Sequence, residues 1–401
     1  MTQRLYYTDS MLTSFGARVL SCEPSGDAFH ITLDRTAFYP TSGGQPFDRG
    51  ALDIAGVAAD VVDVIDDEET GEVVHVTNAA IEQGREVTGT IEWPRRLDHM
   101  QQHTGQHVLS AVFDRLCGAR TVSFHMGGES STIDLAREVT PAEVDAVERE
   151  ANRVVFDDRP IHIRFASEAE AAALPLRKES TRTGTLRLVE IPDCDLSACG
   201  GTHVPRSGSV GLIAVTGWER FKGGSRVSFV CGGRALQSHS HLRDVTLAAS
   251  RVLTVAVGEL PEAVGRLQAQ IKEQQRTIKQ LQEQVTAALA AELRDGAEPG
   301  RSGAQVVIRA QPGWDTAALK LLASAIVSNP GLVVVLTGEG TPVPVVVARS
   351  ADVGFDAGAW IKDATAELGG RGGGRSELAQ GGITAGTHDI LARAHRTLKS
   401  H

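Results

Sequence analysis

Two short motifs, His103-Thr-Gly-Gln-His107 and Cys199-Gly-Gly-Thr-His203, each set two nitrogen or sulfur donors four positions apart. Zinc favours imidazole nitrogen and thiolate sulfur in a tetrahedral array, and two such halves brought together by folding would supply His103, His107, Cys199 and His203 as ligands. Either motif alone is weak: 13 histidines in 401 residues make one such pair ordinary, and buried free cysteine is common in protein cores. Together they read as one metal site. Gly200 and Gly201 suit a chain that bends tightly around an ion, since glycine carries no Cβ penalty in unusual backbone states.

The first pair of donors must share one face of one element. From Arg96 the spacing becomes helical, with Met100, His103, His107, Val108 and Ala111 near one side. A second helix begins at Pro141, with Thr140 as N-cap and Glu143 completing a capping box. Strands are expected at 161–165 and 186–191, then the cysteine motif as a loop, then strands at 211–216 and 226–230. Residues 96–233 are thus an α+β unit. Before it, residues 1–95 alternate apolar and polar side chains in short runs separated by Gly, Pro, Asp and Asn, the pattern of a small β-barrel or sheet. The segment 36–50 interrupts this with two prolines and three glycines and reads as a loop rich in hydrogen-bonding groups.

Apolar residues recur at a four-three interval from Leu260 to Ala288, interrupted by Gln274, which indicates a coiled-coil seam within a helical segment over 234–294. An earlier helix, ending near Gly258, either folds back on it as a hairpin or pairs across a dimer. Residues 295–401 read as a small α/β domain, with strands at 306–308, 332–336 and 343–348 and a helix at 316–327. Its glycine-rich tail, 369–375 and 379–382, reads as flexible loops that expose backbone N–H groups beside Arg371 and Arg375, an arrangement suited to phosphate. The fold class is α+β overall.

Composition limits the functional classes. With 41% hydrophobic and 22% charged residues the chain is globular rather than disordered or fibrous. Five unevenly spaced cysteines argue against a disulfide framework and for a reducing compartment. No apolar run reaches bilayer length and the N-terminus has no signal core, so a cytoplasmic protein without membrane contact is expected. A net charge of -10 does not advertise nucleic-acid binding. Any such contact must rest on local patches, for which Arg220, Lys222, Arg226, Arg234, Arg371, Arg375, Arg393, Arg396 and Lys399 are candidates.

The two donor motifs, the loop Phe38-Tyr-Pro-Thr-Ser-Gly-Gly-Gln-Pro-Phe-Asp-Arg-Gly50 and the glycine-rich tail resemble the editing half of alanyl-tRNA synthetase. The likeness is nearer to the long form of the freestanding alanyl-tRNA editing proteins, the AlaX type, and covers almost the whole chain. The threonyl synthetase editing domain shares the donor pattern but not the loop or the tail. The resemblance implies a translation-factor-like barrel, a zinc-dependent deacylase unit, and a terminal domain that helps bind tRNA and can dimerise. It implies hydrolysis of the ester joining serine or glycine to tRNA(Ala), with Zn2+ on His103, His107, Cys199 and His203. Thr36 would read the substrate side chain and Gly43, Gly44 and Gln45 would shape the pocket wall. Alanyl-tRNA synthetases carry a glutamine near the stretch 121–126; here Phe124-His125 stand instead, and His125 becomes a candidate base.

A second site of this kind answers a physical need, since a pocket built for alanine rejects an added hydroxyl only weakly. Only the short β segment precedes the metal helix, without a class II aminoacylation domain, so the chain is expected not to charge tRNA. Zinc either activates water or orients substrate; four protein ligands favour the latter and an open position the former. The rival class is a non-catalytic tRNA-binding protein with a structural zinc. A phosphoesterase reading lacks its metal motif, because Leu97-Asp-His-Met100 is not Asp-His-His.

Overall fold

Strand Ser14–Ser25 buries Phe15, Ala17 and Val19 between exposed neighbours, the period-two pattern of a sheet with one face in a core. It joins Ala28–Leu33, Glu72–Thr77, Val57–Asp67, Gly50–Ile54 and Glu86–Ile91 in a closed antiparallel barrel. Closure removes exposed sheet edges and surrounds a core that includes Ile31, Leu33, Leu52, Val61 and Val73. The structure, a computed structural model, describes residues 2–67, 69–177 and 184–399, and divides into two units, Met1–Val252 and Leu253–His401.

One polar pair sits inside the barrel. The His75 ring is fully buried, with Nδ1 3.1 Å from the Ile31 carbonyl and Nε2 2.8 Å from Thr36 Oγ1. Burial lowers its pKa from 6.5 to about 4. Below pH 6.5 the unfolded chain therefore binds more protons than the folded one, so stability is full above 6.5 and falls as pH drops toward 4. Linkage gives a loss of about 2 kcal/mol between pH 7 and pH 5 from this ring alone. Urea unfolding at both pH values checks it. His75→Gln, though weaker at pH 7, should lose about 2 kcal/mol less than the native chain over that interval; an equal loss would assign the acid sensitivity elsewhere.

Helix Trp93–Cys117 starts with Pro94 in its first turn and stops at Gly118, whose φ of 58° lets its N–H reach the Asp114 carbonyl and the Ala119 N–H reach that of Phe113. Sequence spacing predicted one buried side; every residue from Gln102 to Phe113 is buried. Its polar side chains find internal partners, as when Gln102 pairs with both the N–H and the carbonyl of Cys231 (2.9 and 3.0 Å). The helix packs with Pro141–Phe156 and a four-stranded sheet, ordered Ile213–Phe221, Gly224–Cys231, Ser131–Leu135 and Thr121–Met126, around Val108, Val112, Phe113, Val147 and Phe229. The capping box of Thr140 and Glu143 is formed. A three-stranded sheet of His162–Ala166, Leu186–Ile191 and Asp195–Ala198 leads directly into the cysteine motif. Helix Gly232–Leu253 follows, a turn shorter than the expected run to residue 257.

In the second unit, helix Leu260–Asp295 runs for 36 residues, and its periodic side chains Val264, Leu267, Ile271, Ile278, Leu281 and Val285 remain exposed. A six-stranded mixed sheet carries helices Thr316–Val327, Ala357–Leu368 and Thr387–Leu398. The glycine-rich tail departs from expectation. Gly370–Gly374 and Leu378–Ile383 are paired antiparallel strands with Arg371 opposite Gly382, not flexible loops. Glycine is a poor strand former, but the ladder to Val343–Arg349 satisfies this backbone and overrides local preference. No helix among the described residues is long and apolar enough to cross a membrane.

Candidate metal centre

The donors of the two motifs converge. One atom from each of His103, His107, Cys199 and His203 lies within 4.8 Å of the others. Cys199 Sγ is 3.4 Å from His103 Nε2 and 3.3 Å from His203 Nε2. A tetrahedral zinc with ordinary Zn–S and Zn–N lengths sets such donors roughly 3.5 Å apart, so the set fits that ion.

The outer ring nitrogens have partners of their own. His103 Nδ1 is 2.8 Å from Gln45 Oε1, His107 Nδ1 is 2.7 Å from Asp195 Oδ2, and His203 Nδ1 is 3.1 Å from Thr104 Oγ1. An Nδ1–H donated outward leaves each Nε2 lone pair facing inward, as a metal-ligating imidazole requires. These partners are themselves held. Gln45 Oε1 also accepts from the Thr202 N–H and its Nε2 donates to Thr202 Oγ1, while Asp195 accepts from Arg177 at 2.5 Å and from Ser197 at 3.0 Å.

Electrostatics agree with a cation site. Burial pushes the Cys199 thiol up, but the imidazoles of His103, His203 and His107 outweigh it and hold the group well below its ordinary value. Burial opposes a proton on His107, yet Cys199 and Asp195 carry that ring to about 9. Burial takes His203 down to about 3. Desolvation works against the Asp195 carboxylate too, and the His107 bond and Arg177 bring it to about 2. Free of metal, the Cys199 thiolate faces a protonated His107, and a divalent cation would replace that proton.

Gly201 of the cysteine motif acts differently from the expectation. Gly201 is not among the glycines with positive φ; instead a Cβ there would lie 2.1 Å from His103 Cε1 and 3.0 Å from Gln45 Oε1. Close approach, not bending, requires glycine. Gly201→Ala is expected to displace His103 and lower zinc affinity at least 10-fold, the scale set by lost orienting contacts; metal titration with a competing chelator checks this.

A cavity of about 410 Å³ opens onto the cluster, lined by His103, His107, Cys199, Tyr39, Ser123 and Phe124 among others. Of the predicted pocket residues, Gly43 lines it. Gly43 and Gly44, with φ of 58° and 85°, form the two-residue turn between Ser42 and Gln45, whose backbones exchange hydrogen bonds of 3.1 and 2.9 Å. Gly44 packs against Phe124, and Gln45 is buried as the partner of His103.

Two of the predicted site residues, Thr36 and His125, lie outside the lining. Thr36 does not line the cavity: it is fully buried, its hydroxyl taken by His75 and by the Phe38 N–H at 3.1 Å. His125 is exposed on its strand and absent from the lining, because its neighbour Phe124 takes the inward position. Asp195, Thr104, Arg177 and Arg187 were not anticipated, since nothing local in the sequence marks them. The basic candidates also divide. Arg226, Arg234, Arg220 and Arg393 pair with Asp134, Asp98, Glu138 and Glu367, and Lys399 pairs with Glu298. Arg371 and Arg375 are exposed, with no ion pair among the described residues.

The chain matches the family described as tRNA synthetases class II (A) over residues 11–95, the threonyl and alanyl tRNA synthetase second additional domain over 186–228, and the DHHA1 domain over 303–400. It is 31% identical to the alanyl-tRNA editing protein AlaX-L of Pyrococcus horikoshii, covering 100% of this chain and 99% of that one. It is 33% identical to the alanine–tRNA ligase of Pyrococcus abyssi over 95% of this chain but 42% of the ligase, and 35% identical to that of Pyrobaculum neutrophilum with 95% and 42% covered. Fold and site define an editing-type protein related to alanyl-tRNA synthetase. Within that class the chain belongs to the alanyl-tRNA editing proteins of the AlaX long form.

Proposed function

We propose that this chain is a trans-editing hydrolase that deacylates tRNA(Ala) mischarged with serine, and with glycine, by hydrolysing the aminoacyl ester. The observation that carries the reading is the convergence of four metal donors on a cavity of about 410 Å³ in a member of the alanyl-tRNA editing family. Zn2+ held by His103, His107, Cys199 and His203 would supply Lewis acidity at the ester. The chain's own groups supply the rest. Gln45, Asp195 and Thr104 fix the rings, and Tyr39 and Phe124 wall the cavity.

Hydroxyls such as Ser123 offer a polar lining to a serine side chain. A polar group left unpaired when alanine enters costs about 1–3 kcal/mol, and that sets the selectivity. Thr36 acts from behind the pocket, holding the start of the loop through Phe38. The exposed Arg371 and Arg375 contact tRNA phosphate, and the seam of the Leu260–Asp295 helix pairs two copies as a homodimer. A role in translation carries a cytoplasmic location with it.

The test is hydrolysis of Ser-, Gly- and Ala-charged tRNA(Ala) by the purified protein, with and without chelator. Chelator-sensitive loss of the serine and glycine esters, with the alanine ester spared, is the expected result. Binding of all three without turnover would leave a non-catalytic tRNA-binding protein instead.

A further inference from the structure

Strands His162–Ala166 and Leu186–Ile191 pair antiparallel, and their register sets Phe165 directly opposite Arg187. Both line the cavity that holds the metal donors. Residues directly opposite in such a ladder share one face of the sheet. They differ sharply in depth: Arg187 is 6% exposed, whereas Phe165 is 50% exposed at the rim.

Arg187 is fixed by backbone carbonyls. Its Nε donates to Tyr7 at 2.9 Å, and its Nη1 donates to Cys199 and Gly201 at 2.7 and 2.9 Å. Those bonds tie it to the metal loop, yet its Nη2 is buried with no hydrogen-bond partner among the described residues. Two guanidinium N–H groups thus stand unused in a residue that lines the cavity. A buried donor without a partner is costly, and a ligand oxygen would relieve it. Phe165 presents the complementary feature, an aromatic face left to solvent, which is the usual platform for a nucleobase.

We propose that Phe165 and Arg187 seat the terminal nucleoside of the aminoacylated strand: the ring of Phe165 stacks on the base, and Arg187 Nη2 donates to an oxygen at the ribose–ester end. The polarity follows from depth, since the guanidinium is bonded to the Cys199 and Gly201 carbonyls whereas the phenyl ring marks the rim. The reacting ester then points inward and the base outward. This inference rests on the deacylase reading for its substrate, but the stacking face can be tested apart from turnover.

Steady-state deacylation by Phe165→Ala is expected to show KM raised roughly 5- to 150-fold, the equivalent of the 1–3 kcal/mol per stacked base, with kcat within about twofold. Phe165→Tyr should stay near the native values. Separately, Phe165→Trp should gain fluorescence quenched by millimolar adenosine 5′-monophosphate, a response the native protein lacks. An unchanged KM in Phe165→Ala, with the native protein active, overturns the seat and leaves the deacylase standing. Absence of deacylation by native protein overturns the function instead, and the tryptophan titration then decides the seat alone: no quenching at millimolar nucleotide rejects it.

Discussion

His103→Ala is expected to abolish both zinc retention and hydrolysis of Ser-tRNA(Ala), while tRNA binding persists. Each inward Nε2 at the cluster is oriented by its own partner, and His103 lies 3.4 Å from Cys199 Sγ. Its removal takes one donor from a four-donor set and leaves Gln45 Oε1 without its ring partner. A graded series should accompany it. Asp195→Asn keeps the shape but loses the charge that supports His107, and loss of such an orienting carboxylate lowers metal affinity about 10- to 100-fold. Bound zinc measured by elemental analysis, beside the first-order deacylation rate, reads both.

The same cluster gives a pH sign. In the metal-free protein His107 holds a proton up to about pH 9, with Cys199 as thiolate. The cation must displace that proton, so zinc affinity should rise with pH up to about 9 and weaken on acidification. Affinity independent of pH between 6 and 8 would contradict that protonation state. Retained activity in metal-free His103→Ala would sink the zinc-dependent mechanism as a whole.

The donors were legible in sequence because each half of the site is local. His103 and His107 share a helix at i,i+4, and Cys199 and His203 share one loop, so spacing alone exposes them. What spacing conceals is who holds the rings. Gln45 stands 58 positions from His103, and Asp195 stands 88 positions from His107. Spacing likewise conceals the partner of Thr36, whose hydroxyl, at the start of the 36–50 segment, is bonded to His75 inside the barrel. The glycine-rich tail misleads because local propensity names a loop, whereas pairing of Leu378–Ile383 with Val343–Arg349 is a long-range contribution that a short window does not contain. Periodicity served well where burial is one-sided, as in the barrel strands. It understated the Trp93–Cys117 helix, whose buried glutamines look like surface residues until their partners are known.

Arg96→Met is expected to destabilise the first unit by about 3–5 kcal/mol, the scale for breaking one side of a buried ion pair. Arg96 and Asp48 are both 0% exposed, and the guanidinium also donates to the Ser10 and Ala37 carbonyls at 2.8 and 2.5 Å. Asp48 in turn accepts the Tyr39 N–H at 2.7 Å. The pair therefore pins both ends of the loop that carries Gly43 and Gln45 to the helix that carries His103. Removing Arg96 strands a carboxylate in the core and frees that loop. Replacing both partners, as Arg96→Met with Asp48→Leu, removes the stranded charge and should recover much of the loss, although the three carbonyl and amide partners remain unmet. The two variants separate charge from scaffold. Urea unfolding reads the stability, and zinc titration reads the loop, since Gln45 fixes His103 only while the loop is held. A loss below about 1 kcal/mol in Arg96→Met would mean that water or a neighbouring group takes over the Asp48 charge. A double variant as weak as the single would show that the backbone carbonyls, rather than the ion pair, bind the loop to the helix.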